Sequence, residues 1–368
     1  MYVDRRAFLQ LCALALGGCG SVRRAVPFDA VVSTDPADAA LGIACHASLG
    51  AALAAAPQAS PRPWRIRIAR GRWHEKLIVA KPNIELIGDE REKTILAFDA
   101  AAGHLKPDGK PWGTWGCASL IVRAPGFTAR NLTIENSFDY IGEITRPRPT
   151  LEPIGANGAQ AVALMLDMGA DRSHIENVDI RGHQDTLFVD AGRSRFHDCT
   201  ISGSVDFIFG GGRCLIEHCR IVSRHRPGKA RQGYVAVPST QRTQEFGLVL
   251  RDCRLEKESA VPRASVALGR PWRPTRSFPD GRYGDPAIAG AAAFIDCWMD
   301  DHIDPAGWDA MSYTARDGSR QMFQPQDARL AEYRSRGPGA HASASRRMLS
   351  DDEAKKYTNA NILGDWPA

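Results

Sequence analysis

Several things are scarce in this chain, and each scarcity removes a class of function. Its 47 lysines and arginines exceed its 42 aspartates and glutamates by only five charges. The basic residues form no stripe interleaved with aromatics, so no nucleic-acid partner is expected. Nine cysteines contain no CxxC pair, and His183, His197, His218 and His225 are not spaced as a ligand set. No metal or other cofactor is therefore expected, and these histidines read as structural. The apolar stretch that ends at Gly18 is too short to span a bilayer. What remains, 43% hydrophobic and 24% charged residues, is ordinary for a soluble globular protein. A length of 368 residues exceeds the usual single domain, a limit that repeat architectures escape by growing along one axis.

The chain opens on an export signal. Arg5-Arg6 begin an RRAFLQ run that resembles a twin-arginine motif, and Leu16-Gly17-Gly18-Cys19 resembles a bacterial lipoprotein cleavage box. Residues 1–18 are then the signal, Cys19 the lipidated first residue of the mature chain, 19–35 a tether and 36–368 the folded domain. Gly20 rather than Asp after the cysteine resembles the pattern of outer-membrane sorting. Without lipidation the protein would be periplasmic or secreted, and the anchor is the only membrane contact expected.

Short motifs recur through the body: RNLTI, ENVDI, DCTI, HCRI, DCRL and DCWM, anchored at Asn131, Asn177, Cys199, Cys219, Cys253 and Cys297. Successive gaps of 46, 22, 20, 34 and 44 residues suggest coils of about 20–22 residues, with 46 and 44 as two coils and 34 as one coil carrying a loop. The units are β-rich runs broken by Gly, Asn and Asp, so the solenoid should be an all-β parallel β-helix. Stacked Ile, Leu and Val would fill it, with Asn or Cys in one inward corner. A helix over Ala44 to Ala55 would cap the open end. Ser350 to Glu353 forms a capping box before a helix running toward Asn359, and Gln326 to Arg334 has a helical pattern too. A capped coil needs no partner, so a monomer is expected. Cys199 and Cys219, one coil apart at equivalent corners, are expected within disulfide reach. Cys253 and Cys297 read as two coils apart, while Cys45, Cys117 and Cys214 read as buried thiols.

The chemistry concentrates in Gly182 to Gly212. Asp185 and Asp206 stand 21 residues apart, each in a short β-type run, DTLFV and VDFIF. One such Asp is ordinarily a turn cap. Two at one-coil spacing become neighbours across roughly 4.8 Å of strand separation. Gln160, 24 residues before Gln184, joins the same patch, and Arg270 with Trp272 stands out in ALGRPW.

GHQDTLF, GSVDFIFG, ALGRPW, QAVAL and GYVAVPST resemble the signature segments of pectin methylesterases. The similarity extends through WGTWGCASLIV, NLTIEN, SFPDGRYGDP, MDDHI, GWDAMS and LGDW, roughly residues 40 to 368. The resemblance implies a right-handed parallel β-helix that hydrolyses methyl esters of pectin or oligogalacturonide without metal. It implies Asp206 as nucleophile, Asp185 as general acid and then base, Gln160 and Gln184 as oxyanion donors, and Arg270 as the partner that keeps Asp206 ionised. Trp272 would offer a flat face to a sugar ring, with Ser119, Val205, Phe209 and Met311 along the groove. The chain departs from the family at His183 and Phe188, where Tyr is usual, and at Met165, where relatives carry Tyr or Arg. Phe188 and Met165 are expected to line the groove, and the insert Ile144–Gly155 to shape access to it. Two competing readings are an esterase or thioesterase of the same fold acting on another substrate, and a non-catalytic polysaccharide-binding β-helix.

Overall fold

The computed structural model describes residues 28–39, 42–155 and 157–366. The expected export signal over residues 1–18 and the expected lipidation site Cys19 lie outside them. Short parallel strands fill three sheets of eleven, eight and seven strands. Each complete circuit contributes one strand to each sheet, and the circuits at the two ends contribute fewer. Arg193–His197, Thr200–Gly203 and Ile208–Gly210 make one coil, and Arg213–Glu217 starts the next in register on Arg193–His197. The fold is the parallel β-helix that the repeat predicts.

The repeat has a physical origin in one corner. Asn131, Asn177, Asp198, His218, Asp252 and Asp296 all adopt φ between 52° and 55°, a left-handed conformation that Asn, Asp and His tolerate better than most side chains. The next residue in each case, Leu132, Val178, Cys199, Cys219, Cys253 or Cys297, turns inward and is buried. Asn and Cys therefore do not share one position: Asn makes the bend, and Cys is the inward residue after it. The ladder from Thr133 through Asp179, Thr200, Arg220 and Arg254 to Trp298 advances one coil at each step. The gaps of 46 and 44 are thus single coils enlarged by insertions, not pairs of coils. The first holds the helix Tyr140–Thr145 and the segment that follows it, and the second holds the hairpin Thr275–Phe278 with Gly281–Gly284.

That register also corrects the cysteine reading. Cys199, Cys219, Cys253 and Cys297 form one column on four successive coils, and all are free thiols. Parallel stacking points neighbouring β-carbons the same way, so the sulfurs line up instead of facing each other. The Cys199 Sγ is directed at the carbonyls of His197 (3.3 Å) and Ile175 (3.5 Å), and the Cys219 Sγ at that of Glu217 (3.0 Å). Cys117 and Cys214 are buried as expected, but Cys45 is only partly so.

Inside the coil, Ile66, Leu86, Ala129, Ile175, Phe196, Ile216, Leu250 and Phe294 stack in register. Each large side chain so buried contributes roughly 1.5–3 kcal/mol. The column ends on Glu332, opposite Phe294, whose buried carboxylate is gripped by the equally buried Arg346.

The ends differ from expectation in four places. Ala30–Val32, inside the presumed tether, pairs with Ala44–His46 and with Trp64–Ile68, so the coil begins before residue 36. Ala44–His46 is a strand, and the capping helix is the shorter Leu49–Ala55, started by the Ser48 side chain. Lys81 closes it by donating to the carbonyls of Leu53, Ala54 and Ala56. Gln326–Arg334 is mostly strand: after a 3-10 turn at Pro325–Asp327, Arg329–Tyr333 becomes the last rung of the eleven-stranded sheet. Pairing with Ala291–Ile295 there overrides local helical propensity. The Ser350–Glu353 capping box is present, but its helix stops at Ala354, and Thr358 starts a second helix, Asn359–Leu363.

Candidate active site

The site lies where successive coils enter the seven-stranded sheet. Leu187 pairs with Ile208, and Asp185 and Asp206 each stand two residues ahead, so they occupy equivalent places on adjacent coils. Neither is in a strand, contrary to the DTLFV and VDFIF runs. Both are left-handed, with φ of 64° and 53°, and they precede Leu187–Val189 and Ile208–Gly210. Such backbone carries strain on the order of 1 kcal/mol that surrounding bonds must hold. Asp185 N donates to Val205 O at 2.9 Å and Ser204 N to His183 O at 2.7 Å.

Two coils beyond Asp206, the strand Val266–Gly269 delivers Arg270. Gly269 must be glycine: a β-carbon there would stand 1.8 Å from the Ala236 carbonyl oxygen. Arg270 Nε donates to Asp206 Oδ1 at 2.9 Å and Nη2 to Oδ2 at 2.6 Å. Its guanidinium also lies 3.9 Å from the centre of the Tyr234 ring. Asp185, among the described residues, has no ion-pair partner. Burial first, and the charge of Asp206 second, push its carboxyl well above the ordinary 3.8, against the pull of Arg270.

Gln160 and Gln184 reach the same place from the preceding coil and the Asp185 coil. Gln184 Nε2 donates to Pro153 O at 2.8 Å, and Gln160 Nε2 more weakly to Gly155 O at 3.4 Å. The Gln160 Oε1 is buried without a partner. His183 is neutral, pushed down to about 3 by burial and by Arg224 and Arg226, and stacks on Tyr140 at 5.2 Å. It is a packing residue, as its neighbours require.

Beside the carboxylates an apolar floor covers the outer face of the sheet. Phe188 and Phe209 stack at 4.1 Å. Trp272 leans on both, 6.3 and 5.9 Å away, with Met311 packed nearby. Val205 and Phe209 are nearly buried, while Phe188 and Met165 are wholly so. The last two support the floor from beneath rather than line it. Ser119 is also buried, its hydroxyl spent on Glu135 O at 2.8 Å, which makes it a tie between coils. Sequence reading passed over Trp115, 47% exposed and 6.1 Å from Trp272, as well as Tyr234 and the buried Tyr140. Trp115 and Tyr234 lie within WGTWGCASLIV and GYVAVPST, Trp115 in a turn and Tyr234 inside the strand Gly233–Pro238, and the aromatic residue within each motif is the available signal.

Comparison with known proteins agrees with this geometry. The family model Pectinesterase matches residues 30–365. Pectinesterase A of Dickeya dadantii (strain 3937) is 40% identical over 362 residues, covering 97% of this chain and 96% of the relative. The pectin methylesterase structure from Erwinia chrysanthemi superposes with a TM-score of 0.86 at 41% identity, over 93% of this chain and 98% of that one. A crystal structure of pectin methylesterase in complex with a hexasaccharide gives 0.87 at 41% identity, with the same coverage.

Proposed function

Because the chain belongs to the pectinesterase family and hydrolyses the methyl esters of pectin, we propose that it does so through an aspartyl acyl-enzyme formed on Asp206. The observation that carries this reading is the asymmetry of the two aspartates. Arg270 holds both oxygens of Asp206, whereas Asp185 is buried, unpaired and pushed toward its protonated form. One nucleophile and one acid are thus available together.

An Asp206 oxygen attacks the ester carbonyl carbon. Negative charge moves to the carbonyl oxygen, where the Gln160 and Gln184 amides donate to it. Each well-placed donor contributes a few kcal/mol, about 2.7–4 where such a donor has been removed elsewhere. Collapse breaks the bond to methoxide, which takes the Asp185 proton and leaves as methanol. Asp185, now a carboxylate, accepts a proton from water as the water oxygen attacks the anhydride. The galacturonate acid departs, Asp206 is free, and Asp185 is again protonated. Trp272 and Trp115 offer the faces on which sugar rings rest.

Methanol release from highly methylated pectin, compared among the parent, Asp206→Ala and Asp185→Asn, tests this. Release by the parent alone supports it, and undiminished release by Asp206→Ala overturns it. We also propose, from the N-terminal sequence, an exported monomer anchored in the outer membrane through lipid on Cys19. Incorporation of labelled fatty acid, lost in Cys19→Ser, tests the anchor, and sedimentation of the signal-free chain tests the monomer.

A further inference from the structure

The segment between the helix Tyr140–Thr145 and Gln160 is the insertion that enlarges one coil, and it does more than shape access. Pro153 and Gly155 turn their carbonyls onto Gln184 and Gln160, so one short loop touches both oxyanion donors. The loop closes on itself: Glu152 N donates to Asn157 O at 2.8 Å, Ala159 N to Glu152 O at 2.9 Å, and Gly158 N to Gly155 O at 3.1 Å. Gly103 N, donating to Gly158 O at 2.9 Å, fixes its far side.

What holds the near side is a single buried carboxylate, Glu143. It accepts from the Leu151 amide at 2.7 Å, from the Thr150 amide and from the Thr150 hydroxyl at 2.9 and 3.0 Å, with Arg146 at 3.3 Å. Burial alone would raise its pKa, but these donors outweigh burial and leave it below the ordinary value. A buried charge with this many donors has one geometry, and the nearer residue it bonds, Leu151, is two and four positions from Pro153 and Gly155.

A glutamine amide carries two N–H groups and rotates about three side-chain torsions. When a fixed carbonyl takes one N–H, the plane of the amide is set and the second N–H points in one direction. We propose that Glu143, through the loop it anchors, is a positioning residue that orients Gln184 and Gln160 toward the oxyanion. This rests on the reading of those two glutamines as oxyanion donors. Glu143 touches no reacting atom and acts through Leu151–Gly155. Its loss changes the transition state more than substrate binding, because an oxyanion forms only on the way to reaction.

The test is a double-mutant cycle on purified signal-free enzyme, read as kcat and KM for methanol release from methylated pectin. Gln184→Ala is expected to lower kcat about 100-fold. Glu143→Gln is expected to lower it about ten-fold with KM within about two-fold. In the Gln184→Ala background, Glu143→Gln should change kcat by less than about three-fold, since the only donor left for the loop to orient is Gln160, which it holds weakly at 3.4 Å. Thr150→Ala, which removes one exposed donor from the same carboxylate, should lower kcat about two-fold and serves if Glu143→Gln fails to fold. An unchanged kcat in both Glu143→Gln and Thr150→Ala, with Gln184→Ala impaired, overturns the role of the loop alone. Full additivity in the cycle does the same. An unchanged kcat in Gln184→Ala overturns the oxyanion reading and this inference with it.

Discussion

Arg270 and Asp206 meet fork to fork, with two nearly parallel hydrogen bonds of 2.9 and 2.6 Å between a guanidinium stacked on Tyr234 and a carboxylate on a left-handed residue. The fork fixes the plane of the carboxylate as well as its charge, a thing an ammonium cannot do. Arg270→Lys should therefore keep the fold yet lower kcat about 100-fold. Asp206→Ala should remove methanol release down to about 10⁴-fold below the parent or lower. Steady-state kinetics on both variants checks this, and an Arg270→Lys enzyme with parental kcat would remove the fork from the mechanism.

Trp115 and Trp272 form a wall 6.1 Å apart over the Phe188–Phe209 stack. Their place is on the apolar floor, and the role proposed for them is to carry sugar rings without taking part in the chemistry. Trp272→Ala or Trp115→Ala should raise KM roughly ten-fold, equivalent to about 1.4 kcal/mol, and leave kcat within about three-fold. A fall in kcat at constant KM would place either ring in the reaction instead.

The coil and the juxtaposition of Asp185 with Asp206 were legible in the sequence because both rest on in-register stacking, which converts a spacing into a neighbour. Asp185 and Asp206 at 21 residues needed only that rule. The count of coils was not legible: the insertion after Tyr140–Thr145 and the hairpin after Val266–Gly269 hide single coils inside gaps of 46 and 44. Depth in the groove was also illegible. Phe188 is on a three-residue strand, too short to show alternation, and is covered by Trp115 and Trp272 from loops outside the ladder. Gln326–Arg334 carried a helical pattern, but the open edge of Ala291–Ile295 drew it into a strand.

The thiol column predicts how the cysteines titrate. Cys199, Cys219, Cys253 and Cys297 are buried, as are Cys117 and Cys214, and Cys45 is partly exposed. A thiol reagent should label the native signal-free protein at Cys45 far faster than at these six. In guanidinium these seven, together with Cys19 where the signal-free chain retains it unlipidated, should react without prior reduction. Two fewer thiols in denatured, unreduced protein would mean that Cys199 and Cys219 are crosslinked.

Glu332 ends an apolar column and Arg346 covers it, and both side chains are almost wholly out of solvent at 1% and 0%. Arg346 also donates to Gly339 O at 2.9 Å, tying the last segment across the end of the coil. Removing one partner strands a buried charge, so Glu332→Ala should cost about 3–5 kcal/mol in denaturant unfolding. Replacing both, as Glu332→Leu with Arg346→Met, should cost less than the single change. A larger loss in the double variant would show that the pair stabilises the end beyond its own mutual need.

Asp185 gives the sharpest prediction, because the property that suits it to catalysis works against stability. Its folded pKa lies well above the unfolded 3.8, through burial first and the Asp206 charge second. Between those two values the folded chain binds a proton that the unfolded chain has released, so stability falls as pH rises from 3.8 toward the folded pKa and stays lower beyond it. Below 3.8 both states are protonated and the penalty vanishes. Asp185→Asn, which cannot ionise, should match the parent's melting temperature in strong acid and exceed it at neutral pH by roughly 3 °C or more, while losing methanol release. The gain should shrink in an Asp206→Asn background, where the repelling charge is absent and Arg270 is free to favour an ionised Asp185. Parallel melting curves for Asp185→Asn and parent across pH would mean that Asp185 titrates near its ordinary value, and would take the acid out of the mechanism.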